Sequence, residues 1–425
     1  MSAKLLNDIE SIKFATGEIV HDSGAGYVSL EIQSDTELDK SRAVANHVLG
    51  RLGDIEYPLM MMNLEKVALQ LDRWRRCLPR VSPYYAVKCN PDETLVSYLQ
   101  SQGVDFDCAT SAEMDLVVNQ LGHPASKVVY SNPCKLASHV RFASSAGVQL
   151  TIIDNFDEIA KIKRNHGSAQ VLIRLACADS SSQCPMSCKF GVPNDKVKDL
   201  LEHAADIGLE VVGVHFHVGS GCSDPKTYEK ALLDARRAFD LGTMCGHNMH
   251  VLDLGGGYPP LALDGTCRTS NGVSFEEMAS TINNLLDQLF PNEEYRIMGE
   301  PGRFLVGGSS TLLTKIHSKC IVDEDNVRYY LNDGLYGCFN CVLFDHQTVR
   351  PETLKEHSGA ASAMAATIFG PTCDGFDKVV DGVTHLPEMH IEDRVLWLSM
   401  GAYTTAASTT FNGFPQAQYY YYKAD

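Results

Sequence analysis

Lys88 stands in the run Tyr84-Tyr85-Ala86-Val87-Lys88-Cys89-Asn90, a lone cation at the end of an aromatic and apolar stretch that Asn90-Pro91 terminates. Most lysines are solvated surface charges. A lysine ending a buried strand is instead desolvated, which lowers its pKa and supplies the neutral amine that forms a Schiff base with an aldehyde. A lysine that binds pyridoxal phosphate (PLP) is therefore the first chemistry to set against the rest of the chain.

Other reactive groups are spaced to serve the same chemistry. Gly255-Gly256-Gly257 follow Val251-Leu252-Asp253-Leu254 and offer bare backbone N–H groups to an anion directly after a strand-like run. A tight turn is the bland alternative for three glycines. Glu300-Pro301-Gly302-Arg303 follow a further run; Arg303 brings charge-assisted donors. A carboxylate such as Glu300, bonded to a pyridine nitrogen, keeps that nitrogen protonated and makes the ring an electron sink. The same two residues can equally form a salt bridge. His217 is placed either to lie flat on a ring or to sit satisfied in a core. No metal is expected: Cys338 and Cys341 form a C-x-x-C without a second pair at zinc-ribbon spacing, and His215 and His217 are expected on opposite faces of their strand.

These groups need a scaffold that gathers strand ends. From about Tyr84 onward one unit repeats, a short apolar run followed by a helical pattern. The runs are Tyr84 to Val87, Val104 to Cys108, Lys127 to Tyr130, Val148 to Asp154, Gln170 to Ala176, Glu210 to Val218, His250 to Leu254 and Tyr295 to Gly299. Helical patterns lie between them at Ala112 to Val118, Asp195 to Ile207, Tyr228 to Leu241 and Phe275 to Leu289, with Ser111, Asp224-Pro225 and Ser274 as starts. Eight strands alternating with helices predict a (β/α)8 TIM-like barrel over residues 63–309. An open dinucleotide-binding sheet is the rival, but Gly219-Ser220-Gly221 lacks the third glycine of that fingerprint. In a barrel, Lys88, Asp107, Asn132, Arg174, His217, Ser220, Gly255 to Gly257 and Glu300 to Arg303 all fall on the rim where the strands end.

After about Leu312 the period changes from helical to alternating. Strands are expected at Lys315 to Val322, Val327 to Leu331, Val342 to Asp345, Ala363 to Phe369 and Arg394 to Leu398, and the early segment Gly26 to Ile32 is similar. A second, mostly β domain built from both chain ends, residues 1–62 and 310–425, is the expectation. Thr266 to Gly272 is read as a surface loop.

Lys and Arg total 36 against 53 Asp and Glu, a formal charge of −17, which argues against nucleic acid or an anionic membrane as partner. Met1 to Asp8 lacks the apolar core of a signal peptide and no run is long enough to span a bilayer, so a cytoplasmic protein is expected. Fourteen scattered cysteines fit reduced thiols rather than a disulfide scaffold.

The ordered motifs Tyr85 to Asn90, Phe106 to Ala109, Ser131 to Lys135, Phe216 to Cys222, Asp253 to Gly257, Glu300 to Arg303, Asn332 to Gly337, Gly370 to Gly375 and Gly401 to Thr404 run over nearly the whole chain. Together they resemble the PLP-dependent eukaryotic ornithine decarboxylases of the alanine-racemase-like fold. The resemblance implies decarboxylation of L-ornithine to putrescine, the first step of polyamine biosynthesis. It implies that Lys88 holds PLP, that Glu300 meets the pyridine nitrogen, and that Ser220, Gly257, Arg303 and Tyr403 bind the phosphate, with Gly255, Gly256, Pro301 and Gly302 in the same loops. His217 would stack on the ring, and Asp107, Glu113 and Arg174 would organise cofactor and lysine. Asp345 and Asp374 would receive the distal amine of a diamino acid, with Tyr336 and Phe344 beside them, and Cys373 would return a proton to the α-carbon.

Family members place Cys373 and Asp374 in the partner's site, so a homodimer with shared active sites is implied. Phe344 stands where family members commonly carry tyrosine, which bears on selectivity between ornithine and lysine. The chain ends at Tyr422-Lys423-Ala424-Asp425, without the longer degradation-linked tail of vertebrate members, so antizyme binding is unsupported.

Overall fold

The computed structural model describes residues 20–22, 27–32, 34, 36–259, 272–355, 364–384 and 386–424. Met1 to Asp8 and all but the last residue of the expected loop Thr266 to Gly272 lie outside them. The described chain forms two compact units, residues 70–259 with 272–305, and residues 20–69 with 306–424.

In the first unit each of the eight apolar runs overlaps a strand, the first of which starts two residues before its run: β1 (Ser82–Ala86), β2 (Asp105–Cys108), β3 (Val128–Tyr130), β4 (Leu150–Ile153), β5 (Gln170–Leu175), β6 (Glu210–Phe216), β7 (Val251–Asp253) and β8 (Arg296–Gly299). They pair in parallel in chain order, and β8 returns to β1 to close the barrel. Burial on both faces explains why these strands read as continuous apolar runs. Tyr84, Val129, Leu150, Ile152, Leu172, Val212, Val251 and Met298 form one buried cluster drawn from nearly every strand.

The crossover helices start where the side chains can cap them. Ser274 accepts the Glu277 N–H and Glu277 accepts the Ser274 N–H, a reciprocal box that opens Phe275–Leu289. Phe275, Met278, Ala279, Ile282 and Leu286 are its buried residues, at the spacing of one helix face. Asp224 accepts from Lys226 and Pro225 takes the first position of Pro225–Met244. The expected Ser111 cap is displaced by one residue: Thr110 accepts the Glu113 N–H, and Ser111 begins the short helix Ser111–Met114, which widens into a π-helical stretch at Asp115–Gln120.

The second unit is built on a ten-stranded sheet in which Leu59–Asn63 lies between Ser310–Ile321 and the chain-terminal Gln418–Ala424. Strands from both chain ends thus share one sheet. The expected strand Val342 to Asp345 is instead helical, Asn340–Phe344 with Asp345 after it, because a short apolar run carries no period that separates the two states. A 16-residue helix, Glu37–Leu52, also belongs here, started by Thr36 accepting from Asp39. Cys338 and Cys341 are buried with Phe339 and Trp397 in the sheet's apolar core. Every cysteine among the described residues is free of a disulfide. Among the described residues no helix is long and apolar enough to cross a membrane.

Candidate active site

Strand β1 stops at Ala86 and the chain makes one 3-10 turn, Val87–Cys89, which carries Lys88 off the end of the strand. The lysine is not sealed as a strand residue would be: its side chain is 34% exposed, and its Nζ donates to Asp107 Oδ2 at 2.6 Å. Asp107, in β2, is fully buried, and its other oxygen accepts from the Ser131 hydroxyl at the end of β3. Burial pushes the Asp107 carboxyl up and the Glu300 charge adds to that, while Lys88 and Ser131 pull it back. Glu113 reaches back to accept the Ala109 N–H at 2.6 Å, fixing the backbone just past β2; burial raises its carboxyl too.

The rim on the other side of β1 is made by β6, β7 and β8, with β8 paired to β1. His217 lies one residue past β6, and its Nδ1 accepts the Gly219 N–H at 3.0 Å. Burial first, then the Arg174 and Lys88 charges, push its imidazole well below the usual range. The ring is therefore neutral and carries its proton on Nε2. Gly256 lies against that ring: a Cβ there would come 2.8 Å from Nε2. Gly257, at φ +110°, passes so close to Gly219 that a Cβ would meet its carbonyl at 2.6 Å, so only glycine fits the approach. Glu300, the first residue past β8, is buried and donates its N–H to the Gly255 carbonyl at 2.7 Å. One carboxylate oxygen faces His215 Nε2 at 3.4 Å, and Oε1 has no hydrogen-bond partner.

His215 corrects a sequence expectation. Residues two apart in a strand share a face, and His215 and His217 both feel the Arg174 and Lys88 charges. Arg174, in β5, is buried with its guanidinium 5.1 Å from the Phe190 ring centroid. Farther round the rim, the Arg303 guanidinium donates to Ser220 Oγ at 3.3 and 3.4 Å. A Cβ on Gly302 would meet Cys89 Cβ at 3.0 Å, so the Pro301–Gly302 turn packs directly on the turn that carries Lys88.

The remaining candidates belong to the sheet unit. The Tyr336 hydroxyl donates to Asp374, which holds that carboxyl below its usual range, and the Tyr336 ring stacks on Phe411 at 4.4 Å. Cys373 is exposed, its backbone N–H bound to Asn412 Oδ1 at 3.0 Å. Asp377, buried, accepts from Leu335 N at 2.7 Å and from Thr372 N and Oγ1 at 3.1 and 2.7 Å. It thereby ties the loop bearing Tyr336 to the loop bearing Cys373 and Asp374. Asp345 is buried and accepts from Gln347 at 2.7 Å, whereas Phe344 beside it is 74% exposed. Tyr403 adopts φ +55°, two residues after Gly401.

The barrel residues fit PLP. Glu300 is a buried carboxylate with lone pairs still unfilled, which a pyridinium N–H would meet. The Gly256 backbone packs so closely on the His217 ring and the Glu300 carbonyl that a Cβ would meet them at 2.8 and 3.0 Å, and Ser220 and Arg303 form an anion-binding corner. Sequence reasoning gave no role to Ser131, His215, Asp253 or Asp377. The period-two rule applied to His217 would have placed His215, and an acid inside the apolar run Val251 to Leu254 was a visible sign for Asp253.

Residues 64–307 match the family described as pyridoxal-dependent decarboxylase, pyridoxal binding domain. The ornithine decarboxylase of Mus musculus is 44% identical over 363 residues, covering 82% of this chain and 77% of that protein. Antizyme inhibitor 2 of Xenopus laevis is 41% identical over 361 residues, covering 82% and 77%. Among solved structures, the agmatine-bound arginine decarboxylase of Paramecium bursaria Chlorella virus superposes with a TM-score of 0.83 at 32% identity, over 90% of this chain and all of that one.

Proposed function

This chain belongs to the pyridoxal-dependent decarboxylases, and on that premise we propose that it removes CO2 from L-ornithine to give putrescine, using PLP as cofactor. The observation that carries the proposal is the Lys88–Asp107 pair set at the same barrel end as the buried Glu300. Relatives named ornithine decarboxylase supply the substrate class.

Lys88 holds the cofactor aldehyde through its amine, and Asp107 fixes that amine in position while Ser131 fixes Asp107. Glu300 would bond the pyridine nitrogen and keep it protonated; Ser220, Gly257, Arg303 and Tyr403 would take the phosphate. When bound, the cofactor supplies the electron sink that accepts the pair left behind as CO2 departs. His217, neutral, would stack on the ring without adding a charge that competes with the pyridinium. Asp345 and Asp374 bind the distal ammonium, with Tyr336 orienting Asp374. Cys373 delivers the proton to the α-carbon.

Cys373 and Asp374 of one subunit serve the barrel of the other, so the active form is a homodimer, working in the cytoplasm. The exposed aromatics Phe376, two residues after Asp374, and Phe411, stacked on Tyr336, support this, since they need cover. The cofactor-binding domain is residues 63–309.

The test is diamine and CO2 release by the purified, PLP-loaded protein given L-ornithine, L-lysine and L-arginine separately. Putrescine with little cadaverine or agmatine is the expected result; comparable cadaverine makes it a dual lysine and ornithine enzyme. The antizyme inhibitor relative raises a second reading, a regulatory homologue without activity. Lys88, Asp107, Arg174, His217, Glu300, Arg303, Cys373 and Asp374 all stand against it, and absence of product from all three amino acids would favour it.

A further inference from the structure

Asp253 and Glu300 form a buried acid pair to which the mechanism above assigns only one member. Asp253 ends β7 and Glu300 follows β8, the neighbouring strand. Leu254 N donates to the Met298 carbonyl at 2.8 Å and Glu300 N to the Gly255 carbonyl at 2.7 Å, so strand register locks the two side by side. Ligand atoms of His215, Asp253 and Glu300 all lie within 4.8 Å of one another, with all three residues buried. Asp253 Oδ1 accepts the Gly255 N–H at 2.9 Å, Glu300 Oε2 faces His215, and Asp253 Oδ2 and Glu300 Oε1 have no hydrogen-bond partner.

Two ionised carboxylates are acceptors only and cannot satisfy each other. A single proton turns two unsatisfied acceptors into a donor and an acceptor, and removes one of two like charges from a buried site. We propose that Asp253 is a neutral acid donating its proton to Glu300, so that the pair presents one negative charge to the pyridine nitrogen.

The surrounding charges say which partner keeps the proton. Burial raises both carboxyls, but Lys88 and Arg174 pull Glu300 back towards its ionised form, whereas the groups that act on Asp253 are Glu300 and Asp107, both acidic, and the Gly255 N–H. Burial and the Glu300 charge push the Asp253 carboxyl well above the carboxylate range. His215, driven well below its usual range by burial and Arg174, brings no positive charge. Counting the pair and the charged groups that act on it, the two cations Lys88 and Arg174 meet three carboxyls, Asp107, Asp253 and Glu300; one neutral acid makes that balance even. Asp253 is thus a positioning residue that acts through Glu300. A bare Glu300 would divide its lone pairs between the pyridinium and His215 with nothing fixing its second oxygen.

The consequence for the cofactor rests on Glu300 meeting the pyridine nitrogen, but the shared proton is testable without it. Infrared spectra of the full-length, PLP-free protein at neutral pH are expected to contain a protonated carboxylic acid stretch that Asp253→Asn removes. The asparagine amide still donates to Glu300 and its carbonyl still accepts from Gly255, so this variant is expected to keep PLP affinity within about threefold. Asp253→Leu, which removes both bonds, is expected to weaken PLP by about tenfold or more. A band untouched by Asp253→Asn overturns the proposal, as does tenfold loss of PLP affinity in that variant when folded, or stoichiometric metal in the purified protein satisfying the same oxygens. Should Asp253→Asn not fold, carboxyl-13C aspartate labelling of the wild type must shift the band; no shift overturns the proposal. Failure of the wild type to take up PLP would sink the cofactor reading instead, with the band still deciding the proton.

Discussion

The Lys88 amine and the Asp107 carboxylate meet at 2.6 Å across β1 and β2, the lysine one-third open to solvent and the aspartate sealed. That asymmetry divides the labour. The buried partner cannot move, since Ser131 holds its other oxygen, while the lysine sits on a short turn from which it can swing. A base that must alternately hold and release its partner is well placed on such a turn.

Lys88→Ala is expected to lose turnover by roughly a thousandfold or more, together with the visible absorbance of lysine-bound PLP. Putrescine assay and an absorbance spectrum of the purified variant check this. Retention of both would remove the central claim.

Burial also sets a pH dependence. His215 and His217 stay neutral in the folded barrel well below the usual histidine range, whereas the unfolded chain takes up protons below about pH 6.5. The unfolded state then binds more protons, so stability falls as pH drops through that value, by up to about 1.4 kcal/mol per pH unit for each histidine. The raised carboxyls Asp107, Glu113, Asp253 and Glu300 act with the opposite sign, stabilising at low pH and losing that as pH rises through their folded values. Comparing wild type with His217→Asn isolates the histidine: urea unfolding from neutral pH down to about pH 5.5 is expected to show a shallower loss in the variant. Parallel curves would show that His217 already takes a proton in the fold.

How much of this was legible in the sequence depends on whether a segment's neighbours were needed to read it. Phe275–Leu289 could be bounded to the residue, because Ser274 and Glu277 form a local box and the apolar spacing is helical. The barrel strands were legible because burial on both faces leaves continuous apolar runs. Leu59–Asn63 was missed: Met60, Met61 and Met62 are all buried yet carry no β-branching or alternation, and the strand is fixed by partners some 250 and 360 residues away in the chain. The reactive side chains were legible by type and position, but their pairing was not. Lys88 with Asp107, and Asp253 with Glu300, come together only through barrel register.

Phe344 tests selectivity. It is largely exposed, next to the buried Asp345, so a change there alters the approach to the carboxylate without disturbing a core. Phe344→Tyr is expected to shift the ratio of putrescine to cadaverine formation by no more than about tenfold, in the range that one methylene is worth. A shift of several hundredfold would mean that the hydroxyl makes a specific substrate bond, and no shift would remove Phe344 from the pocket.

Shared sites make the sharpest demand on the assembly. Cys373→Ala is expected to bind PLP normally but to lose turnover or product fidelity, because the role proposed for Cys373 is to protonate substrate rather than to hold cofactor. If each site takes Lys88 from one subunit and Cys373 from the other, a mixed dimer of Lys88→Ala and Cys373→Ala chains concentrates both lesions in one site and leaves the other intact. Equal mixing makes half the dimers hybrid, each with one working site of two, so activity is expected to recover to about a quarter of wild type in a two-fold dimer. If the sites were contained within single subunits, every hybrid site would carry one lesion and mixing would restore nothing. Absence of recovery, with subunit exchange demonstrated by differently tagged chains, would therefore reject the shared site while leaving the barrel chemistry standing.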